Sequence, residues 1–167
     1  YGKRYAFAVL DQTTVGASFR VNWTFTPQLS LQLFMQPLIS AGDYRDFKEF
    51  KKPRTYDFMR YGDEGSTLTE IRDGEGNLTE YQADPDGSGS AAPLTLSNPD
   101  FNFTSIRGNA VLRWEYRPGS TLYLVWTRSS SGYLNDGRFR FGRSFDQLFE
   151  GSADNILMLK FNYWFSL

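Results

Sequence analysis

The chain has 167 residues, a net charge of −1, and neither cysteine nor histidine. Without cysteine there is no disulfide scaffold, no cysteine–zinc site and no thiol nucleophile. Without histidine the usual general base and transition-metal ligand are missing, which excludes hydrolases built on a Ser–His or Asp–His pair within these residues. The near-zero charge offers no bulk field to draw in nucleic acid or acidic lipid. Aromatic residues make up 17% of the chain, an amount suited to showing amphipathic rings to two solvents.

Tyr1 is not an initiator, and no basic-then-apolar leader precedes the first strand-like run. The expectation is a C-terminal piece of a longer chain, spanning 1–167, with N-terminal strands and any preceding domain missing. Residues 4–10 read as a first strand. Residues 15–26 and 29–40 read as a pair around Pro27. Within them Val21 to Gly42 carries no charge and is long enough for a membrane helix, but Pro27 and Pro37 break it. Its apolar residues recur every second position instead: Phe19, Val21, Trp23, Phe25, then Leu29, Leu31, Leu33, Met35. Residues 43–62 are charged and aromatic and read as a further strand-like stretch. The runs 67–72 and 78–82 flank Asp73-Gly-Glu-Gly-Asn77, a strong turn signal, and read as a polar hairpin. Residues 84–100 are rich in Gly, Ser, Pro and Asp and read as a loop. Residues 104–117 and 121–129 pair around Pro118-Gly119. Residues 130–155 form a loop with a helical turn near Phe145 to Phe149, either a cap over a barrel mouth or ordinary loop packing. Residues 156–167 are the last strand. No composition shift marks a domain boundary.

Matching the apolar faces sets two registers. Around Pro27, Phe25 pairs with Leu29, Trp23 with Leu31, Val21 with Leu33 and Phe19 with Met35, which implies a three-residue loop, Thr26 to Gln28. Around Gly119, Tyr116 pairs with Leu122, Trp114 with Leu124 and Leu112 with Trp126, which again implies an odd loop, Pro118 to Ser120. Pro-Gly itself prefers an even, type II turn, so a bulge would be needed to reconcile the two. The polar face then carries Arg20, Asn22, Arg113, Glu115, Arg117, Lys160 and Asn162.

Alternation alone does not separate a soluble sandwich, with the apolar face as core, from a membrane barrel, with that face to lipid. Three features favour the barrel. The clean strands run roughly nine to thirteen residues, against about 9–11 for a tilted membrane strand. Two turns are tight, while the connections on the other side are long and polar. Trp23 and Phe25, Trp114 and Tyr116, and Tyr163, Trp164 and Phe165 fall at one level, as an interfacial aromatic girdle would. Leu159, Phe161, Tyr163, Phe165 and Leu167 share one face to the end. That resembles the C-terminal insertion signal of outer-membrane barrels, which usually closes on Phe or Trp rather than Leu.

The run Arg113-Trp-Glu-Tyr-Arg-Pro-Gly-Ser-Thr-Leu-Tyr-Leu-Val-Trp-Thr127, with 98–102, 24–32 and 154–165, resembles an uncharacterised family of bacterial outer-membrane β-barrel domains. In that family the barrel often follows a domain similar to family 9 carbohydrate-binding modules. The resemblance implies a bacterial outer-membrane location and a missing N-terminal portion. It supplies no catalytic residues.

Candidate sites each have a plainer reading. Asp84-Pro-Asp-Gly-Ser-Gly-Ser90 resembles the start of a calcium loop, but its twelfth position is Thr95 rather than Glu, and a plain loop fits better. Asp73, Glu75 and Asn77 fit a hairpin tip better than a cation site. Arg20, Arg113, Glu115, Arg117 and Lys160 read either as a lumen selectivity surface or as an internal salt-bridge network. The Asn-x-Thr triplets at Asn22, Asn77 and Asn102 are acceptor sequons only in a eukaryotic secretory setting.

The sequence therefore leads to an all-β fold, an antiparallel transmembrane barrel of which these are C-terminal strands. The expected role is a channel, a translocation component or a membrane anchor for an N-terminal binding domain. It is non-enzymatic, with no cofactor and no metal. Expected partners are outer-membrane lipid, the barrel-assembly machinery and other outer-membrane or periplasmic proteins, but no nucleic acid. The alternatives are a soluble all-β binding module and an outer-membrane enzyme whose chemistry lies elsewhere.

Overall fold

The computed structural model describes residues 4–52 and 54–165. In chain order they form β1 (Ala6–Gly16), β2 (Phe19–Thr26), β3 (Leu29–Phe50), β4 (Phe58–Arg60), β5 (Thr67–Arg72), β6 (Leu78–Asp84), β7 (Leu94–Ser97), β8 (Phe101–Arg117), β9 (Ser120–Leu134), the helix α1 (Phe141–Glu150) and β10 (Ala153–Asn162). One antiparallel sheet runs β1-β3-β8-β9-β10, with β2 and β4 also paired to β3; a second runs β5-β6-β7. Among the described residues neither sheet closes into a barrel. Leu167 and Tyr1, which entered the readings of the two termini, lie outside the described residues.

The chain divides into two compact units. The first comprises the described residues of 1–13, Ala41–Asn102 and Leu134–Phe139; the second comprises those of Thr14–Ser40, Phe103–Tyr133 and 140–167. Strands β1, β3, β8 and β9 contribute to both.

The first unit has its own core. Phe47, Tyr61, Tyr81 and Ala83 are buried, with Tyr44, Met59, Leu68 and Leu96 packed around them. The Phe47 and Tyr81 rings lie 4.7 Å apart. At one margin Arg4 makes a two-pronged ion pair with Glu49 (Nε to Oε2 3.0 Å, Nη2 to Oε1 2.9 Å), and the Tyr61 hydroxyl donates to the same carboxylate at 2.9 Å. The planar guanidinium matches both carboxylate oxygens at once.

The expected Asp73–Asn77 hairpin is present. The Asp73 carboxylate accepts the backbone N–H of Glu75 (2.9 Å) and of Asn77 (2.8 Å), which holds it below the usual carboxylate range. The Asp84 carboxylate is likewise spent on the amides of Asp86 and Gly87. Several boundaries differ from expectation. β1 runs on to Gly16 and the break falls at Ala17–Ser18, so the stretch read as one strand over 15–26 is the end of β1 followed by β2. The stretches read separately over 29–40 and 43–62 are joined: β3 runs unbroken to Phe50, with Asp46 at a positive φ of 53° inside it, and β4 follows at Phe58–Arg60. β7 lies inside the stretch read as a loop: four residues, of which only Leu94 and Leu96 are apolar, suffice to extend a sheet whose other strands already exist. Residues 130–155 hold the end of β9 and a ten-residue helix rather than a single turn.

Two outcomes test this unit. A Cβ on Gly137 would stand 2.6 Å from the Gly42 carbonyl oxygen and 2.7 Å from the Asp43 Cα, backbone atoms that cannot swing aside. Gly137→Ala is expected to cost about 1–3 kcal/mol in equilibrium unfolding, as overpacking does. Burial pushes the Tyr61 and Tyr81 hydroxyls up to about 12, with Glu49 acting in the same direction on Tyr61 and Asp100 on Tyr81. The unfolded chain loses these protons near pH ~10 while the folded unit keeps them. Stability is therefore unaffected below that pH and falls as pH rises towards about 12. Tyrosinate absorbance during alkaline titration should show a late class that Tyr61→Phe and Tyr81→Phe each shrink.

Candidate functional site

The second unit is a sheet with two chemically distinct faces. The β2–β3 pairing is Phe19 with Met35, Val21 with Leu33, Trp23 with Leu31, Asn22 with Gln32 and Thr24 with Ser30, as the face pattern requires. At the tip the register shifts, so that Thr26 rather than Phe25 stands opposite Leu29. The Thr26 hydroxyl accepts the amides of Gln28 (3.3 Å) and Leu29 (3.0 Å), which tightens the expected three-residue loop to Pro27-Gln28 and leaves Phe25 as the extra residue of a bulge. The second turn behaves alike. It is Pro118-Gly119, with Gly119 at φ 77°, the position a type II turn reserves for glycine. Yet the Tyr116 ring stacks on Phe161 at 5.6 Å, and Phe161 pairs with Leu122, so Tyr116 and Leu122 share a face. An even turn and matched faces together require a one-residue offset between β8 and β9.

One face is apolar and open. Phe19, Val21, Trp23, Leu33, Met35, Trp114, Leu124, Trp126, Leu157, Leu159 and Phe161 are all exposed, Trp23 at 60% and Leu159 at 69%. A monomer in water rarely shows a contiguous apolar patch larger than a few hundred Å². Side chains of this size across β2, β3, β8, β9 and β10 make this face the most distinctive feature of the molecule.

The other face holds the expected polar residues in separate groups. Arg20 lies over the Phe34 ring at 5.6 Å, and Asn22 stands opposite Gln32. Together with Asn109 and Val111 these residues line a hollow of about 460 Å³. Arg113 pairs with Glu115 at 3.1 Å and hydrogen-bonds Tyr123; Lys160, opposite Tyr123 in register, sits over its ring at 5.9 Å. Asn162 pairs with Thr121. Arg117 joins neither group: its guanidinium donates to the Tyr163 hydroxyl at 2.8 Å. A second hollow, of about 380 Å³, is lined by Ser18, Gln36, Ser105 and Arg107 among others. Arg107 and Asn109 were missed by sequence reasoning, although the same alternation that selects Arg113 and Glu115 carries both to this face.

The aromatic groups gather at one end of this unit. The Glu115 amide donates to the Gln28 carbonyl at 2.8 Å, which sets the two tight turns side by side. Trp23 stacks on Phe25 (5.5 Å), Trp114 meets Tyr116 edge-on (6.0 Å) and Tyr163 stacks on Phe165 (6.3 Å). The Trp164 amide donates to the Ser120 hydroxyl at 2.9 Å, and its side chain lies 3.0 Å from where a Cβ on Gly119 would stand. Every expected aromatic therefore lies within reach of a tight turn.

Among the described residues no group of three or more carboxylates is placed to hold a metal ion. No helix among them is long and apolar enough to cross a membrane, which says nothing about crossing by strands. What the arrangement offers is a sheet with one face dominated by large apolar side chains, interrupted by Arg128, and another that carries most of its charge.

No curated protein and no solved structure matches the chain. A family does match, over residues 72–166, a span that includes the Arg113–Thr127, 98–102 and 154–165 runs but not 24–32. The chain belongs to this family, a domain of unknown function designated DUF5916.

Proposed function

We propose that this chain supplies strands of an outer-membrane β-barrel, with the apolar face of the second unit towards lipid and the polar face towards the lumen. The barrel would serve as a channel, a translocation component or a membrane anchor for an N-terminal binding domain, with no chemistry of its own. The observation that carries the reading is the open apolar face. In lipid its exposure costs nothing, whereas in water each fully exposed large side chain forfeits about 1.5–3 kcal/mol of burial. Strand length supports it: β9 and β10 have 15 and 10 residues, and about 9–11 cross a bilayer.

The sheet's edges set a condition on it. β10 has β9 as its only partner among the described residues, and β1 and β2 have only β3. A membrane sheet tolerates no unpaired edge. Five adjacent strand positions fall short of the roughly eight of the smallest barrels, so further strands, from the same chain or another, would have to complete the cylinder. In this arrangement the tight turns with Trp23, Trp114 and Trp164 lie at the periplasmic interface, and on the lumen side Arg113 pairs with Glu115 while Lys160 rests over the Tyr123 ring.

The competing reading, a soluble all-β binding module, needs a second layer over the apolar face. Among the described residues only the end of that face near α1 is covered.

The first test is gel mobility of detergent-extracted protein from a separated outer-membrane fraction, boiled against unboiled. Faster migration without boiling is expected, from a closed detergent-resistant barrel; soluble protein with no shift would sink the proposal. A second test is Leu124→Arg, which puts a charge on the lipid side and should destabilise the vesicle-embedded protein by about 2–4 kcal/mol. Gln32→Arg on the polar face should be tolerated. Equal tolerance of both would count against the assignment of faces.

A further inference from the structure

Helix α1 carries phenylalanine at positions 141, 145 and 149, one face of a helix by the i, i+4, i+8 spacing. The rings form a continuous ladder, 5.8 and 5.4 Å between centroids, and they are 56%, 46% and 53% exposed. The buried residues of the helix are Ser144 and Leu148. So the helix is held by the flank that carries Ser144 and Leu148, and its three largest apolar side chains remain about half-exposed.

The seat of the helix identifies the side of the sheet it occupies. A Cβ on Gly132 would point at the Thr104 hydroxyl (2.9 Å) and at the Gln147 carbonyl oxygen (4.0 Å), and a Cβ on Gly151 would meet the Ser130 hydroxyl at 3.0 Å. Ser130 and Gly132 share their face of β9 with Leu122, Leu124 and Trp126 by simple alternation. Thr104 follows the same parity on β8 as Ile106 and Gly108, which line an apolar groove with Trp126, Val21 and Leu33. Helix α1 therefore lies on the apolar face of the sheet, not across the polar one.

Its height on the sheet is equally telling. From Ser120, at the tight turn, to Ser130, under the helix, is a run of eleven residues, the length that about 9–11 residues of tilted strand need to cross a bilayer. Two side chains at this level have interfacial character. The Trp126 indole N–H donates to Asn155 at 3.2 Å, and Arg128, one row on, lines the groove beneath. Amphipathic side chains of this kind keep their apolar stems in hydrocarbon and their polar ends in the headgroups.

Taking the barrel reading as its basis, we infer that α1 is an interfacial helix. It lies in the plane of the second membrane interface, with Phe141, Phe145 and Phe149 in the boundary between headgroups and acyl chains of the surrounding bilayer. Asp146 and Glu150, exposed and about 100° further round the helix than Phe145 and Phe149, turn away from the apolar stripe, and Arg128 reaches lipid phosphate. An amphipathic helix seated this way buries its apolar stripe about 5–10 Å into the bilayer boundary. It also fixes how far the sheet can slide along the membrane normal.

No cysteine occurs in these 167 residues, so each introduced one is the single labelling site among them. The full-length chain carrying Phe145→Cys, Asp146→Cys or Leu159→Cys is labelled with an environment-sensitive fluorophore. Each variant is refolded into phosphatidylcholine–phosphatidylglycerol vesicles bearing nitroxides either near the headgroup or deep in the acyl chain. The expected result is a blue shift and quenching at 145, stronger from the shallow nitroxide than from the deep one. The label at 146 should be unquenched by the deep nitroxide, and the label at 159 should be quenched. Quenching at 159 without quenching at 145 overturns the helix inference and leaves the barrel reading standing. Quenching at neither overturns both. Quenching at 145 but not 159 keeps the helix at lipid and removes the barrel. A blue shift at 145 that no lipid nitroxide quenches overturns the inference in favour of a protein partner, and disulfide formation between Phe145→Cys copies would identify that partner as a second copy of this chain.

Discussion

Side-chain parity governs the second unit. Each strand must present its large apolar residues on the same side as its neighbours, and a slip of one residue anywhere would exchange the faces of an entire strand. Turn chemistry does not cooperate with this demand. Pro27-Gln28 and Pro118-Gly119 both close as two-residue turns, which by themselves would bring apolar residues opposite polar ones. The sheet answers the conflict locally, by a bulge at Phe25 and an offset between β8 and β9, and beyond each tip the faces run true. The bulges are therefore what allow a tight turn and a two-faced sheet to coexist.

The two units solve the problem of apolar side chains in opposite ways. In the first, aromatic and aliphatic residues converge on Phe47 and Tyr81, and the charged groups around them are paired or hydrogen-bonded: Arg4 with Glu49, Asp100 accepting the Tyr44 amide at 2.8 Å. Burial there holds Asp100 above the usual carboxylate range, the signature of an interior closed to water. In the second unit the side chains of highest apolar area point outward. A single chain carries both patterns.

Much of the second unit was legible in the sequence, because alternation is a direct consequence of the pleat. The residues of the β2–β3 register, the faces of β8 to β10 and the clustering of Trp23, Trp114 and Trp164 near the turns follow from spacing alone. What stayed hidden depended on single residues whose backbone departs from the pattern. Asp46, in the left-handed region, interrupts the alternation of β3, so that its last third reads from the sequence as a separate charged and aromatic stretch. β7 is too short for any period to register. Helix α1 announces itself only by Phe141, Phe145 and Phe149, a helical spacing set among polar residues that composition reads as loop. Of the polar-face residues, Arg107 and Asn109 were overlooked although alternation reaches them. The dispersal of Arg20, Arg113 and Arg117 into three separate environments depends on distances that no one-dimensional pattern contains.

The free edge of β10 has a kinetic side. Its pairing with β9 spans a connection of modest length and can form early. The strand that would cover its other edge must come from a distant part of the chain or from elsewhere, and contacts between remote segments carry the largest loop-closure entropy and form slowest. Closure of such a sheet would be the last step in its assembly. Until then β10, with its exposed apolar residues, would present an unsatisfied backbone ladder to any other strand it met. A sheet that ends this way is a slow folder with a sticky margin, and its yield in a cell would depend on how quickly that margin is escorted to its proper neighbour.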